Sequence, residues 1–399
     1  MRYSALTDRL QGLGGAKWEI HALARQMKRA GREVIELTIG EPDVPCPPDL
    51  IRAATAAMQA GRTGYSNGHG EPETLAALAQ RYSVRRCHTF GPENIMTLPG
   101  TQTALYAVLC TLLGPGDEVI VGDPMYATYD GLIAATGATA VPVALRREQA
   151  FRLQAADVAA KITPRTRVLF LNTPHNPTGA VLRAAEIAAL GALARAHDLW
   201  IVSDEVYEDL VFDGVPFASP LDFPDLADRT VVASSISKSH AAPGFRSGWC
   251  VGPAEFCARM LPLSETLLFG SQPFIADMTA RAITEGSPVA RGMAARFAAR
   301  AGMIYDRLNG QSGLRVHRPE AGMFALLDIR ASGLSGNDFA RALLNETGVA
   351  TMPGESFGVG GDGGLAGWLR LSLTQPDDAV AAACTRIATF AAKTMGEPE

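Results

Sequence analysis

The sequence predicts an α/β protein with a mostly parallel sheet between helices and a second, smaller α+β domain. Short apolar runs alternate with helical patterns between about residues 95 and 255, which is the order found in parallel-sheet proteins. These runs are continuously apolar, as expected for strands that are covered on both faces. After residue 288, a long helical pattern is followed by strands and helices in mixed order. A chain of 399 residues also favours more than one domain.

The predicted elements follow the apolar pattern in chain order. In the first region we predict strands over residues 95–98, 118–121, 168–171, 199–202 and 231–233, and helices over 103–113 and 184–197. In the last third we predict helices over 289–308, 336–347 and 377–394, and strand-like segments over 322–328 and 368–373. The expected division is a large domain over 47–288 and a small domain over 289–399, with 1–46 forming an N-terminal arm and part of the small domain.

Composition and charge argue against several classes of protein. The net charge is only −5, and the densest basic pairs, at 85–86 and 146–147, are too small for a nucleic-acid surface. Six cysteines are scattered without a CxxC pair, so neither a zinc site nor a disulfide framework is expected. The first residues lack the apolar core of a signal peptide, and no apolar run approaches a membrane span. We therefore expect a cytoplasmic protein that binds no nucleic acid, membrane or metal.

The most informative segment runs from residue 230 to residue 249, where an apolar strand leads into Lys238. Lysine seldom ends a buried strand, because burying its charge is costly unless the amine is paired or neutralised. A covalent bond to an aldehyde cofactor is one way to neutralise it. Ser235 offers a hydroxyl and Arg246 offers a planar set of donors, and both are suited to a phosphate group. If such a cofactor is bound, Ser235 and Arg246 suit one that carries a phosphate.

Two further polar motifs follow predicted strands. Asn176 lies in the turn after the strand at 168–171, and Asp204 and Tyr207 follow the strand at 199–202. Open α/β sheets bind their ligands at the carboxyl edge of the strands, so these side chains are expected in the ligand site. Taken alone, the Asn-Pro-Thr-Gly sequence around Asn176 is also an ordinary tight turn, and Tyr207 could simply pack at a strand end.

A third motif, at residues 98–106, follows a strand and opens a helix. Backbone N–H groups at the start of a helix form an anion site, and glycine permits close approach of the anion. We therefore predict that Gly100, Thr101 and Gln102 cradle a phosphate. Many α/β turns contain glycine, and the prediction gains its weight from Ser235 and Arg246, which suit the same phosphate.

Together, Ser235, Lys238 and Arg246 resemble the lysine signature of the class I and II aminotransferases, which depend on pyridoxal phosphate (PLP). The resemblance covers essentially the whole chain, and the motifs occur in the order that the family has. It implies PLP fold type I and a ping-pong transaminase that moves an amino group between an L-amino acid and a 2-oxo acid. In the family, the matching lysine anchors PLP and carries the proton during transfer, which assigns both roles to Lys238.

The same resemblance assigns roles to the other motif residues. Asp204 matches the aspartate that pairs with the pyridine nitrogen of PLP, where a carboxylate keeps the ring protonated and electron-withdrawing. Asn176 and Tyr207 match residues that hydrogen-bond the phenolic oxygen of PLP. Tyr126 matches the residue whose ring stacks on the cofactor. Tyr65 matches a tyrosine that reaches the phosphate of the neighbouring subunit, which implies a homodimer with shared active sites.

The resemblance also assigns three residues to the substrate. Gly40 lies in a segment that resembles the N-terminal segment that closes over the substrate, and Asn176 is expected to share in substrate binding. Arg370 matches the arginine that clamps the α-carboxylate, a role that suits a bidentate guanidinium. From the local sequence alone, Arg370 could equally be a surface residue on an edge strand.

Two features bear on the identity of the substrate. Gln102 occupies a position where an aspartate-specific subgroup has a lysine, and glutamine cannot form an ion pair with a second carboxylate. Strict aspartate specificity is therefore not expected. Residues 1–4 and 18–21 resemble those of arginine–pyruvate transaminase-like members of the family.

The same residues also allow functions other than transamination. A PLP-dependent lyase, such as a C–S lyase, or a decarboxylase would use the same side chains, so the sequence does not separate them from a transaminase. A PLP-binding regulatory protein would carry a basic winged-helix domain before the aminotransferase-like part, which is not expected here. A GxGxxG match at residues 358–363 is expected to be a flexible loop, because a strand follows it where a dinucleotide site needs a helix.

Overall fold

The structure, a computed structural model, describes residues 2–13, 15–86, 88–359 and 364–395, and these form two sheets with helices packed around them. The strands, in chain order, are β1 (Ile35–Leu37), β2 (Ile95–Leu98), β3 (Glu118–Asp123), β4 (Thr139–Ala144), β5 (Thr166–Asn172), β6 (Trp200–Asp204), β7 (Thr230–Ser235), β8 (Gly248–Val251), β9 (Arg315–His317), β10 (Phe324–Asp328), β11 (Val349–Pro353) and β12 (Trp368–Ser372). The α-helices, in chain order, are α1 (Ala5–Leu10), α2 (Glu19–Arg29), α3 (Pro48–Gln59), α4 (Pro72–Arg85), α5 (Thr101–Leu112), α6 (Tyr129–Thr136), α7 (Ala155–Ala159), α8 (Ala184–Ala196), α9 (Ile236–Ser239), α10 (Ala254–Leu268), α11 (Pro273–Glu285), α12 (Ala290–Leu308), α13 (Gly336–Thr347) and α14 (Asp377–Met395).

The larger sheet has seven strands in the order β2-β8-β7-β6-β5-β3-β4, and all except β8 run parallel to one another. Residues of β7 are buried along the whole strand and those of β6 along nearly all of it, as their continuously apolar sequences predict. Because these strands run in the same direction, the carboxyl ends of β5, β6 and β7 lie side by side. Asn172 at the end of β5 pairs in register with Asp204 at the end of β6. This shared edge positions the candidate site.

The predicted strands of the large sheet are all present, and two strands were not predicted. β4 lies at the edge of the sheet and contains Pro142, which lacks the N–H that an interior strand needs and weakens the sequence signal for a strand. β8 is only four residues long and runs antiparallel between β2 and β7. Its brevity, directly after the segment that contains Lys238, explains why periodicity did not reveal it.

The smaller sheet has five strands in the order β1-β11-β12-β10-β9. β1 is parallel to β11, and the remaining pairs are antiparallel. The helices α2, α12, α13 and α14 contribute buried side chains to one apolar core with this sheet. An N-terminal strand thus joins a sheet that is otherwise built from the last third of the chain. The domain boundaries at 46/47 and 288/289 stay a prediction.

The segment that follows β1 is held against the small sheet and helix α12. Ser372 donates its hydroxyl to the carbonyl of Ile39 at 2.7 Å. Asp43 accepts hydrogen bonds from Arg296 at 2.7 and 2.8 Å and from Arg300 at 2.8 Å. The intervening Gly40 is therefore fixed between two anchored points, at the entrance to the large-sheet edge.

The remaining sequence expectations concern membrane-spanning helices and the GxGxxG match. Within the described residues, no helix is both long enough and apolar enough to cross a membrane. Of the GxGxxG match, residues 360–363 lie outside the described residues. Gly358 follows a short 3-10 turn (Gly354–Phe357), and the strand after the match is β12, as expected from the sequence.

Candidate active site

A cavity of about 240 Å³ lies at the carboxyl edge of β5, β6 and β7 and is bounded on the opposite side by residues of β10 and β12. It brings together most of the predicted site residues, namely Gly40, Thr101, Gln102, Tyr126, Asn176, Asp204, Tyr207, Ser235, Lys238, Arg246 and Arg370. Gly100 lies immediately behind Arg246, and Tyr65 lies outside the cavity. The residues come from distant parts of the chain, so their convergence is a property of the fold.

Lys238 lies in α9, the short helix that follows β7, and its amine reaches into the cavity. Its Nζ donates a hydrogen bond to the carbonyl of Gly40 at 2.7 Å. Burial lowers the pKa of Lys238 to about 8, and the nearby Arg370 and Arg246 guanidinium groups add to this effect. A substantial fraction of the amine is therefore neutral near pH 8, and a neutral amine can act as a nucleophile or as a base.

Asp204 is the buried acid of the cavity and ends strand β6. Its Oδ2 accepts a hydrogen bond from the Tyr129 hydroxyl at 2.7 Å, and its Oδ1 accepts one from the backbone N–H of Val206 at 3.1 Å. Burial raises the pKa of Asp204 to about 6, and these two donors and Lys238 oppose that rise. Asp204 is therefore ionised at neutral pH and can accept a proton from a ligand.

The neighbouring Glu205 points away from the cavity and secures the strand end. It is fully buried and accepts hydrogen bonds from Ser219 at 2.7 Å, from Ser203 at 3.0 Å and from Arg86 at 3.2 Å. Since successive residues of a strand face opposite sides of the sheet, Asp204 is left facing the cavity. The two acids at the end of β6 therefore have different environments.

An anion cradle lies at the N-terminus of α5. A Cβ atom on Gly100 would overlap the Arg246 guanidinium, and one on Gly248 would overlap the backbone of Gly100. Gly100 also has a φ of +85°, which favours glycine. The Oγ1 of Thr101 is buried and has no hydrogen-bond partner among the described residues. Together with Ser235 in the same cavity, these groups offer donors to an anion such as phosphate.

Asn176, Tyr207 and Tyr126 line the same cavity as Asp204 and Arg370. The backbone N–H of Asn176 donates to Asn172 Oδ1 at 2.8 Å, which fixes the turn after β5. Burial raises the pKa of Tyr207, so its hydroxyl stays protonated and can donate a hydrogen bond. The ring of Tyr126 meets the ring of Tyr129 edge to face at a centroid distance of 5.5 Å.

Arg370 lies in β12 and is only 1% exposed, so the surface alternative is wrong. Its guanidinium carbon lies 3.7 Å from the ring centroid of Phe324 and 4.5 Å from that of Phe357. Nη1 donates to Asn176 Oδ1 at 3.0 Å and Nη2 donates to the Thr38 carbonyl at 2.7 Å. Burial lowers the pKa of Arg370 to about 10, so it is a cation at neutral pH. Among the described residues its hydrogen-bond partners include no carboxylate, and its Nε is unpaired.

Tyr65 lies on the surface of the chain. Its side chain is 91% exposed, and its ring meets the ring of Phe269 edge to face at 5.2 Å. Phe269 is itself 64% exposed. A single chain thus leaves this aromatic pair exposed to solvent.

Several residues of the site were not predicted from the sequence. Tyr129 begins α6, and its backbone N–H donates to the Tyr126 carbonyl at 3.0 Å in the turn that precedes this helix. Its spacing of three residues from the predicted Tyr126 could have indicated it. Trp18 lines the cavity from the N-terminal segment, and no local pattern marks it. Lys17 holds this segment in place, because its amine donates to the Ala127 carbonyl at 3.2 Å and to Asp130 at 3.4 Å.

A lysine of lowered pKa that shares one cavity with an anion cradle and a buried acid is what an enzyme with a phosphorylated aldehyde cofactor requires. The glycine contacts and the unpaired Thr101 hydroxyl fit a phosphate, and the ionised Asp204 fits a protonated ring nitrogen. The fold and the site therefore define the class of PLP-dependent enzymes.

Comparison with known proteins narrows this class. Residues 32–387 match the family described as aminotransferase class I and II, and the chain belongs to this family. It is 44% identical over 397 residues to arginine–pyruvate transaminase AruH of Pseudomonas aeruginosa, with 100% of both chains covered. It is 34% identical to the aspartate/prephenate aminotransferase of Cereibacter sphaeroides, covering 92% of this chain and 94% of that protein. Aspartate aminotransferase from Thermus thermophilus, solved with maleate, has a TM-score of 0.90 at 30% identity and covers 98% of this chain and 100% of its own.

The chain is thus a PLP-dependent transaminase of fold type I, as the sequence predicts. When bound, PLP supplies an aldehyde that takes up the amino group and a cationic ring that stabilises negative charge at the substrate Cα. The family favours transamination over the lyase, decarboxylase and regulatory alternatives.

Proposed function

We propose that this transaminase takes the α-amino group from arginine and passes it to pyruvate in a ping-pong cycle. Two observations support the choice of substrate. A relative that is 44% identical over the full length bears the name arginine–pyruvate transaminase. The main observation is the composition of the cavity wall that faces the substrate side chain, apart from the groups assigned to the cofactor and the α-carboxylate. This distal wall consists of Trp18, Ile39, Thr128 and Leu132, together with the side chain of Gln102, whose backbone N–H belongs to the predicted cradle.

The distal wall is uncharged and suits a long side chain with a flat cation. A dicarboxylic amino acid needs a cation for its second carboxylate, and the distal wall supplies none. The indole of Trp18 can accept a guanidinium on its face, and the oxygen atoms of Gln102 and Thr128 can accept hydrogen bonds from it. Lys17, next to Trp18, is turned toward Asp130 and the Ala127 carbonyl.

The remaining residues have the following roles in the proposal. Arg370 and Asn176 bind the α-carboxylate and orient the substrate so that its Cα–H bond faces Lys238. Lys238 Nζ removes the proton from Cα, a step for which its lowered pKa is suited. Asp204 retains the proton on the ring nitrogen, and Tyr207 donates to the phenolic oxygen.

The substrate proposal is tested in half-reactions. We expect arginine to convert the yellow, PLP-loaded enzyme at a kcat/KM at least about tenfold above that of aspartate, and pyruvate to restore the starting absorbance. Gln102→Lys is the matched variant, because it places a cation in the distal wall. It is expected to improve aspartate relative to arginine by about tenfold. Equal rates for both amino acids in the parent enzyme would contradict the assignment of arginine. Continued 2-oxo acid formation without an amino acceptor would contradict transamination itself.

The proposed assembly is a homodimer in which Tyr65 of one subunit reaches the phosphate held by the other. The exposed aromatic pair of Tyr65 and Phe269 supports it. So does Arg246, a cradle residue that remains exposed in the single chain. The cytoplasmic location expected from the sequence stays a prediction.

Removing the Tyr65 hydroxyl tests the shared site. We expect Tyr65→Phe to remain a dimer in sedimentation velocity but to bind PLP about tenfold more weakly, since a hydrogen bond to a charged phosphate is lost. Tyr3→Phe, at a position that is 83% exposed, is the matched control and should bind PLP as the parent does. A fully active monomer at micromolar concentration would rule out the shared site.

A further inference from the structure

We propose that Tyr129 is a positioning residue that keeps Asp204 ionised and aimed at the ring nitrogen of the cofactor. This inference rests on the proposed pairing of Asp204 with that nitrogen and extends it to a residue outside the assigned set. The geometry that carries it is the hydrogen bond of 2.7 Å from the Tyr129 hydroxyl to Asp204 Oδ2.

Asp204 depends on few donors within its buried site. Among the described residues, its hydrogen-bond donors are the Tyr129 hydroxyl and the backbone N–H of Val206. No arginine or lysine within the described part of the chain forms an ion pair with it at 4.0 Å or less. Tyr129 is therefore the one described side chain that donates directly to this carboxylate, and each oxygen keeps a lone pair for a ligand proton.

The position of the Tyr129 ring is set by packing rather than by its hydroxyl. The side chain is 2% exposed, at the first residue of α6. Its ring lies against Phe170 of β5 at a centroid distance of 4.6 Å and meets Tyr126 edge to face. Burial raises the pKa of Tyr129 well above its ordinary value, so the hydroxyl is always a donor. Phenylalanine can fill the same space, so Tyr129→Phe removes the donor and retains the packing.

The environment of Asp204 determines the direction in which its pKa moves when the Tyr129 hydroxyl is removed. Burial favours the protonated acid, whereas Tyr129, Val206 and Lys238 favour the carboxylate. Tyr126 and Tyr207 also face this cavity, and both stay neutral since burial raises their pKa values. The guanidinium groups of Arg246 and Arg370 are the other charged groups that line it. Without the Tyr129 hydroxyl, the pKa of Asp204 rises from about 6 by about one pH unit. A larger fraction of Asp204 is then protonated at pH 6 and cannot pair with a protonated ring nitrogen.

The decisive measurement is PLP affinity of the apoenzyme as a function of pH. Tyr129→Phe is expected to weaken PLP binding about tenfold at pH 6 and clearly less at pH 8.5. The acid limb of kcat/KM is expected to move to higher pH by about one unit. Tyr106→Phe, which removes a hydroxyl from a partly buried tyrosine of the same apolar core, is the matched control and should change neither quantity.

A double-mutant cycle with Asp204→Asn separates positioning from packing. If Tyr129 acts through Asp204, adding Tyr129→Phe to the Asp204→Asn enzyme leaves PLP affinity nearly unchanged. The same loss in both backgrounds, or no dependence of the loss on pH, overturns the inference. If Asp204→Asn alone leaves PLP affinity unchanged, the proposed role of Asp204 fails instead. Thermal unfolding of each variant shows whether the fold is retained.

Discussion

Replacing Lys238 by alanine is expected to abolish transamination, with a loss in kcat/KM of at least about 10⁴-fold. The amine is the only proton carrier in the proposal that reaches the substrate Cα. In the proposal it also makes the covalent bond to the cofactor, so the variant should lack the yellow absorbance band of lysine-bound PLP. Absorbance spectroscopy of the purified protein and single-turnover kinetics with arginine measure the two effects separately.

The controls for Lys238→Ala use both a matched residue and chemical rescue. Lys161→Ala, at an exposed lysine, should keep the parent spectrum and rate. Because alanine leaves space where the amine was, added methylamine should restore part of the single-turnover rate while the covalent anchor stays absent. Turnover of the variant above one-tenth of the parent rate, without added amine, would falsify the assigned role.

Replacing Arg370 by methionine is expected to lower kcat/KM for amino acids by about 10³-fold while leaving PLP affinity close to that of the parent. The substrate carboxylate loses a bidentate cation, but the anion cradle around Gly100 and Ser235 is untouched. The free energy of unfolding of the free protein should fall far less than the loss in kcat/KM would suggest. A buried cation without a carboxylate partner is costly, and an apolar side chain of similar length can pack between Phe324 and Phe357.

A comparison of arginine with agmatine tests whether Arg370 binds the α-carboxylate. The parent enzyme should prefer arginine over agmatine, the same amine without the carboxylate, by a factor similar to the loss in the variant. Arg370→Met should lose that preference. Arg370→Lys should recover little of it, since an ammonium group lacks the planar pair of donors. If the variant still discriminated between the two amines, the carboxylate would have to bind elsewhere.

The part of the site that lies at the sheet edge could be predicted from the sequence. Asn176, Asp204 and Lys238 each follow an apolar strand, and parallel strands bring their carboxyl ends to one edge. The identity of the cofactor came from the resemblance of this motif set to a family. The structure then places these residues in one cavity, and it contains every strand that was predicted for the large sheet.

Other parts of the site depend on packing that the local sequence does not encode. The local sequence around Arg370 fits a surface arginine as well as a buried one. The structure shows that it is buried, because its guanidinium stacks against Phe324 and Phe357. The contact of Tyr129 with Asp204 depends on how α6 sits on the sheet. Trp18 enters the cavity because Lys17 fastens its segment to the loop before α6. Each of these is a contact between residues far apart in the chain.

The pairing of β1 with β11 has a consequence for how the enzyme is made. Ile35 leaves the ribosome long before its partner Val349. Until then, β1 has no sheet to join, and the carbonyl groups of Thr38 and Gly40 have neither Arg370 nor a fixed position beside Lys238. A nascent chain that lacks the small sheet therefore exposes an unpaired strand-forming segment. The substrate side of the cavity is completed only after β10, β11 and β12 have been synthesised.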